Sequence, residues 1–519
     1  MTNFVASLKE IKINFKSDII SGFLIFLLAL PLSLGIAKAS GFPASMGILT
    51  AIIGGLTSLF FKVSSFTIKG PAAGLITICS GAIMEFGSGD IAIQICCTAV
   101  TIAAILQIGF AYFNFGKFSD FFPYAAVKGM LATIGIIIIS KQIPVLLGVE
   151  PDLYSGKNPI QLFLEIPIFI QNSNITLAVI GVLSIFILIF LPKIKWFQKI
   201  PSPVIILLIV IPFTLINDFR NTQPFFALVD IGDFWSEINI SWNSSFLMHW
   251  SFWKYVLMFL FINSLESLLT VKAIDNISDE KKTSDYNADL KAVGFGNFFS
   301  SLLGGLPLIS EVVRSTSNIK FGAKSKWSNF FHGIFLLISI LFFIPLIESI
   351  PNSALAAMLI FAGYNLCAPK HFIQIYKIGK EQLLIYVFTI IITLLTDLLV
   401  GIFVGILIKI LIHLYNGAKI KNLFILNYKI IESEHEYVIY LNRNAVFCNV
   451  VQFKSILNTL NKNKNIVINA ENLDIIDHSF LSFIENYKRN NEFQRSFQLL
   501  GMDKLKGLSN HPFATRIKN

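Results

Sequence analysis

Apolar residues in this chain come in runs long enough to cross a bilayer, separated by short polar stretches. Fourteen runs are read, at roughly 19–38, 43–61, 67–86, 91–113, 123–147, 175–191, 203–216, 252–274, 290–303, 310–321, 327–347, 351–367, 383–397 and 398–415. A helix of about 20 residues spans a hydrocarbon core of about 30 Å. In the third and tenth runs the uninterrupted helix is too short for this, about 22 Å from Pro71 to Glu85 and about 18 Å from Ser310 to Phe321. The third opens on Lys69-Gly70-Pro71, and the tenth follows Gly304-Gly305-Leu306-Pro307. They hold the same place in each set of seven, and interrupted segments at matching positions of two halves point to a transporter's binding site. Seven is odd, so the second half would be inverted. The predicted fold is an α-helical polytopic membrane protein of 14 spans, a 7+7 inverted repeat. After about Asn416 the chain turns polar. Strands are predicted over 437–441, 466–469 and 497–500, and helices over 452–460 and 479–487, which makes a small α/β module. The expected domains are a cytoplasmic N-terminus (1–17), a transmembrane domain (18–415), a linker (416–434) and the module (435–519).

Charge adds the topology. Only 14% of residues are charged, against about 25% in soluble domains, while 54% are hydrophobic. Lys9, Lys12 and Lys16 precede the first run. The loops after even-numbered runs carry Lys62; Lys117; Lys193, Lys195 and Lys199; Lys320, Lys324 and Lys326; and Lys370, Lys377 and Lys380. The long loop after the eighth run is mixed, with Lys281 and Lys282 among acids, and the loops after odd-numbered runs carry acids, among them Glu85, Asp90, Glu150, Asp152, Asp230 and Glu348. This predicts a multi-pass protein of the cell inner (plasma) membrane with both termini cytoplasmic. The net charge of +10 is accounted for by these loops and argues against nucleic acid as a partner. The lipid bilayer is the expected surrounding. The five cysteines show no metal-ligand spacing, and no phosphate loop or nucleophile elbow is present. Asp477-His478-Ser479 are consecutive and cannot converge as a triad. No enzyme activity, cofactor or metal centre is expected.

The chemistry concentrates at the two interruptions. Pro307 and the glycines before it end any arriving helix. Ser310 is expected to cap a new helix that starts in mid-membrane, with Arg314 one turn in. A helix start attracts anions through its free N–H groups and partial positive charge. Lys69, Gly70, Pro71, Ala72, Ala73 and Gly74 look like a counterpart facing Ser310, Glu311, Val312, Val313 and Arg314. Together they are the candidate anion site. Arg314 either contacts the anion or tethers two helices. Lys69 either joins the site or snorkels to a membrane face. Glu311 is protonated, paired with Arg314 or Lys69, or part of a cation site. Glu266 is a carboxylate inside the eighth run, with Thr270 four residues on and on the same face. It either binds a coupling ion, Na+ or H+, or forms a structural pair with Arg314. Ser310 is a further oxygen for Na+. Asp397 and His413 are expected at the membrane interface.

Several motifs resemble one family. Ala29-Leu30-Pro31-Leu32-Ser33-Leu34-Gly35 followed by Ala39-Ser40-Gly41-Phe42-Pro43 is similar to the first-span signature of the sulfate permease (SulP) family. So are Lys69-Gly70-Pro71-Ala72-Ala73-Gly74, Ser264-Leu265-Glu266-Ser267-Leu268-Leu269, and Asn297, Gly304-Gly305-Leu306-Pro307 and Arg314-Ser315 with Gly322-Ala323-Lys324. The tail resembles a short STAS domain. The resemblance implies a core of spans 1–4 and 8–11, a gate of spans 5–7 and 12–14, elevator-type alternating access and a homodimer. It implies secondary active transport of a small inorganic anion of the sulfate or bicarbonate class, nearer the bicarbonate-type bacterial members. It places the anion at Leu32 and Ile36, at Ala72 and Ala73, and at Ser310 to Arg314, with the cation at Glu266 and Thr270. It also implies a cytoplasmic regulator at the STAS-like tail. The chain departs from the family at Lys69 and Glu311, where small or neutral residues are common. A nucleobase permease of the same fold, and a non-transporting anion sensor signalling through its tail, are the alternatives.

Overall fold

The structure is a computed structural model. It describes residues 2–61, 63–87, 89–116, 121–197, 200–278, 284–461, 464–489 and 496–518. Lys62, Lys117, Lys199, Lys281 and Lys282 of the topology reading lie outside the described residues, as does the side chain of Lys9.

Each of the fourteen apolar runs contains a helix. These are α1 (Thr2–Ala39), α2 (Ala44–Thr57), α3 (Ile76–Phe86), α4 (Asp90–Tyr112), α5 (Tyr124–Leu146), α6 (Ile175–Phe190), α7 (Ser202–Ile216), α8 (Trp250–Ile277), α9 (Tyr286–Leu302), α10 (Val312–Lys320), α11 (Trp327–Phe342), α12 (Asn352–Cys367), α13 (Lys380–Leu395) and α14 (Leu398–Tyr415). By length and composition, six helical segments among the described residues could each cross a membrane alone: Lys12–Ala39, Asp90–Tyr112, Tyr124–Leu146, Ile175–Lys193, Trp250–Asp275 and Leu398–Tyr415.

The two interruptions are built differently from the expectation. Each is a strand before it is a helix. β1 (Ile68–Pro71) runs antiparallel to β2 (Leu308–Glu311), with Lys69 opposite Ser310 and Gly70 opposite Ile309. Proline and glycine explain why no helix forms there: the residue before a proline is pushed to extended backbone, and glycine costs helix stability. In an apolar interior the bared N–H and C=O groups need partners, and pairing the two strands supplies them. The turn into β2 uses Gly304 at φ +84°, a conformation that side chains disfavour. Polar side chains clamp the turn: Leu306 N–H donates to Thr50 Oγ1 (2.8 Å), and Leu308 N–H to Asn297 Oδ1 (2.6 Å).

The chain divides into two compact units, of which the larger comprises 1–116, 134–280 and 284–366. In it, small residues let helices approach closely. Gly55 of α2 meets Gly333 of α11, and Gly54 of α2 sits on the Lys69 carbonyl of β1.

The smaller unit comprises 117–133, 281–283 and 367–519. It pairs α13 with α14 and the start of α5, where Ala125 and Ala126 pack with Ile385 and Tyr386. Its polar part is a six-stranded sheet flanked by α15 (Val450–Thr459) and α16 (His478–Arg489). The strands are β3 (Asn427–Glu432), β4 (Glu436–Ala445), β5 (Asn465–Ile476), β6 (Phe497–Leu500), β7 (Leu505–Gly507) and β8 (Arg516–Lys518). Their order is β3-β4-β5-β8-β7, with β6 also on β5. The sheet thus begins inside the stretch read as a linker. β4 and β5 are parallel, joined through α15, and Ile439, Leu441, Ile466 and Ile468 meet Phe453 and Phe480 in the core. His413 is buried beside Lys409, and both reach Asp477 at 3.3 Å.

Candidate functional site

The paired strands set the frame of the site, and the helices that follow them point charge into it. Glu311, the last residue of β2, caps α10: its Oε2 accepts from the Arg314 N–H at 2.6 Å. This corrects the cap assigned to Ser310. Ser310 is one residue too early and faces the other way, so its Oγ donates to Asp289 Oδ2 (2.8 Å) and its N–H to Ser267 Oγ (3.3 Å). A carboxylate at a helix start is favourable, so Glu311 has a structural role there.

Lys69 is also corrected. It does not snorkel to a membrane face. Its side chain is 0% exposed, and Nζ donates to Asp289 Oδ1 (2.8 Å) and Thr67 Oγ1 (3.1 Å). Asp289 on α9 therefore ties Lys69 of β1 to Ser310 of β2, directly across the strand pair. Neither charge is left over for a ligand.

Arg314 keeps its donors unpartnered and its charge only weakly offset, by Glu311. It is 0% exposed, and Nε, Nη1 and Nη2 have no hydrogen-bond partner. The nearest carboxylate oxygen is Glu311 Oε2, 4.0 Å from Nε, which is an ion pair at its outer limit. The guanidinium lies against Gly70, where an added Cβ would come within 2.6 Å of Nη1. Gly70 is thus the residue that lets a cation from α10 reach the other strand. A buried donor without a partner costs about 1–3 kcal/mol, and more when charged. Three such donors on one cation make a strong claim for an anion.

Glu266 of α8 lies against Gly74, just after β1. It is 8% exposed and its Oε1 has no partner. The carboxylate presses on Gly74, so that any Cβ there would collide with it. Glu266 and Arg314 form no ion pair; the carboxylate that Arg314 approaches is Glu311, so the structural pairing of Glu266 with Arg314 does not occur. Thr270 and Asn263 are buried on the same helix, and the Asn263 carbonyl oxygen is also unpartnered. Oxygen ligands of this kind suit a small hard cation or a proton. Among the described residues no cluster of three or more His, Cys, Asp and Glu could hold a metal ion.

The remaining residues spread out. Pro71, Ala72 and Gly74 are buried, Ala73 is half-buried, and α1, which carries Leu32 and Ile36, packs on β1 and α3. Ile36 is buried and Leu32 half-buried. Val312 and Val313, by contrast, are exposed. Asp289 is the residue that sequence reasoning missed. Its signal was a carboxylate one position ahead of the ninth apolar run.

Residues 15–389 match the sulfate permease family, which is 375 of 519 positions and contains every residue of this site. The chain belongs to the sulfate permease family. It is accordingly a multi-pass integral membrane transporter and not an enzyme. Among its relatives, a putative sulfate transporter of Bacillus subtilis is 27% identical over 72% of this chain and 69% of its own length. A bicarbonate transporter of Picosynechococcus is 25% identical over 68% of this chain and 62% of its own length. The solved structure of SLC26A9, at 14% identity, superposes with a TM-score of 0.70 over 95% of this chain and 85% of that one. That likeness speaks to fold, and it extends beyond the helical part.

Proposed function

We propose that this sulfate permease family member carries a small inorganic anion, of the sulfate or bicarbonate class, across the inner membrane. The observation that carries the reading is the Arg314 guanidinium: fully buried, without a hydrogen-bond partner, and set against Gly70 where the two strands pair. A planar cation with several free donors fits an oxyanion. Glu266, with Thr270, is the coupling site for Na+ or H+, and its unpartnered oxygen beside Gly74 supports that role. Ser310 is occupied by Asp289 and Ser267, which argues against its serving as a Na+ ligand.

In this reading fourteen spans form a 7+7 inverted repeat. The core (α1–α4, α8–α11) carries the anion past a gate (α5–α7, α12–α14) by elevator-type motion. Both termini are cytoplasmic, two chains form a homodimer, and the tail is a STAS-type module open to a cytoplasmic regulator. The names of the sulfate and bicarbonate relatives support the anion class. The test is uptake of labelled sulfate and bicarbonate by proteoliposomes, with and without Na+ and a pH gradient. Saturable uptake of either anion supports the reading, and a purified, folded protein that moves neither refutes it.

A further inference from the structure

A cleft of about 350 Å³ opens in the larger unit, between the C-terminal ends of α1, α3 and α5 and the N-terminal end of α12. Three lysines line it, Lys38, Lys141 and Lys157, and among the described residues no carboxylate does. Lys157 is paired with Glu165, which lies outside the lining. The other two are held only by neutral groups. Lys38 Nζ donates to Asn352 Oδ1 (3.1 Å), and Lys141 Nζ donates to Ser80 Oγ (2.6 Å). Asp230 acts on Lys38 electrostatically from beyond the wall. Two ammonium groups, neither of them hydrogen-bonded to a carboxylate, therefore share one cleft whose lining carries no acid, which focuses positive potential inside it.

A second observation points to a ligand as well. Ser40 and Ser353 line the same cleft. Each is 1% exposed, and neither hydroxyl has a hydrogen-bond partner. Buried hydroxyls are normally satisfied. Lysines from two helices and free hydroxyls from two chain segments make a donor set for an oxyanion. The volume leaves room for part of the anion's hydration shell. The floor reaches Gly35, one helical turn from Leu32 on α1.

We propose that this cleft is a second anion site, an entrance vestibule. It holds a partly hydrated inorganic oxyanion between Lys38 and Lys141 before the anion moves to Arg314. The binding itself stands on the cleft's own residues; only the onward step rests on the transport reading. Its walls include α1, α3, α5 and α12. A core that slides against a gate would open and close it.

The test uses the purified full chain and inorganic sulfate as the probe. Lys141 and Lys38 are modified with trinitrobenzenesulfonate, and the extent is read by peptide mass spectrometry. Sulfate is compared with gluconate at matched ionic strength, in the unaltered protein and in Arg314→Ala. The expected result is a severalfold slowing of Lys141 modification by sulfate in both proteins, weakened by Ser353→Ala. In uptake assays, Lys141→Gln should raise the half-saturating concentration and flatten its ionic-strength dependence without changing the maximal rate. Lys141→Arg should restore both. Equal modification in sulfate and gluconate overturns the vestibule, and so does protection that disappears in Arg314→Ala. Protection in both proteins together with no uptake would leave the vestibule standing and sink the transport reading instead.

Discussion

Arg314 and Lys69 are two buried cations a few residues from the same strand pair, and they do opposite things. Lys69 is consumed by Asp289, whereas Arg314 has no hydrogen-bonded counterpart. Removing one partner of a buried pair costs roughly 3–5 kcal/mol, because the other charge is left bare. Lys69→Met should therefore destabilise the protein by about that much. Replacing both partners (Lys69→Met with Asp289→Leu) should recover most of it. The fraction surviving a heating series on size exclusion reads this out. If Lys69→Met instead abolishes anion binding at unchanged stability, Lys69 belongs to the ligand. Glu266→Gln removes a charge with little change of shape. It should abolish cation-driven accumulation while anion exchange persists in part, and unchanged Na+ and pH dependence would make Glu266 structural.

At the scale of elements, the strand pair works through two glycines. Gly70 admits Arg314 and Gly74 admits Glu266. Alanine at position 70 must push the guanidinium away, so Gly70→Ala should weaken anion binding. Gly74→Ala should disturb coupling first. Gly109→Ala, in open space on α4, is the matched control and should change neither. Calorimetric titration of all three with sulfate separates packing damage from loss of the site. Much of this arrangement was legible in the sequence. The helices announced themselves by apolar length, and glycines and prolines located both breaks. The strand pairing was not legible, because residues far apart in sequence meet there and each strand is too short to show a pattern. Ser310 was assigned the cap on spacing alone, which is good to a residue or so at a helix end. Asp289 escaped because a carboxylate just outside an apolar run reads as loop. The tail showed its central strands, while β3 was hidden in what reads as a linker and β7 and β8 are three residues each.

At the scale of the whole molecule, the sheet domain and α14 share one buried charge cluster. Burial alone would raise the Asp477 carboxyl, but Lys409 and His413 outweigh it and hold it well below the usual carboxylate range. A depressed carboxyl contributes stability above its unfolded value, near 3.9, and loses it only as pH falls through the folded value. This contact should therefore be constant from about pH 5 upward as far as Asp477 is concerned. Asp477→Asn should loosen the sheet domain from α14, read as faster amide exchange in α16 and β5, and leave sulfate affinity unchanged. A large loss of affinity would mean that the tail shapes the anion site itself.

The central claim is that Arg314 holds a transported inorganic anion. Loss of a charge-assisted hydrogen bond costs roughly 1.5–3 kcal/mol, which is about ten- to a hundredfold in affinity. The most direct measurement is concentration-dependent uptake of labelled sulfate and bicarbonate into proteoliposomes carrying the unaltered protein, Arg314→Ala or Arg314→Lys. For the transported anion, the half-saturating concentration should rise by that factor in Arg314→Ala and fall part of the way back in Arg314→Lys. Uptake in Arg314→Ala that saturates at the unaltered concentration would contradict the account.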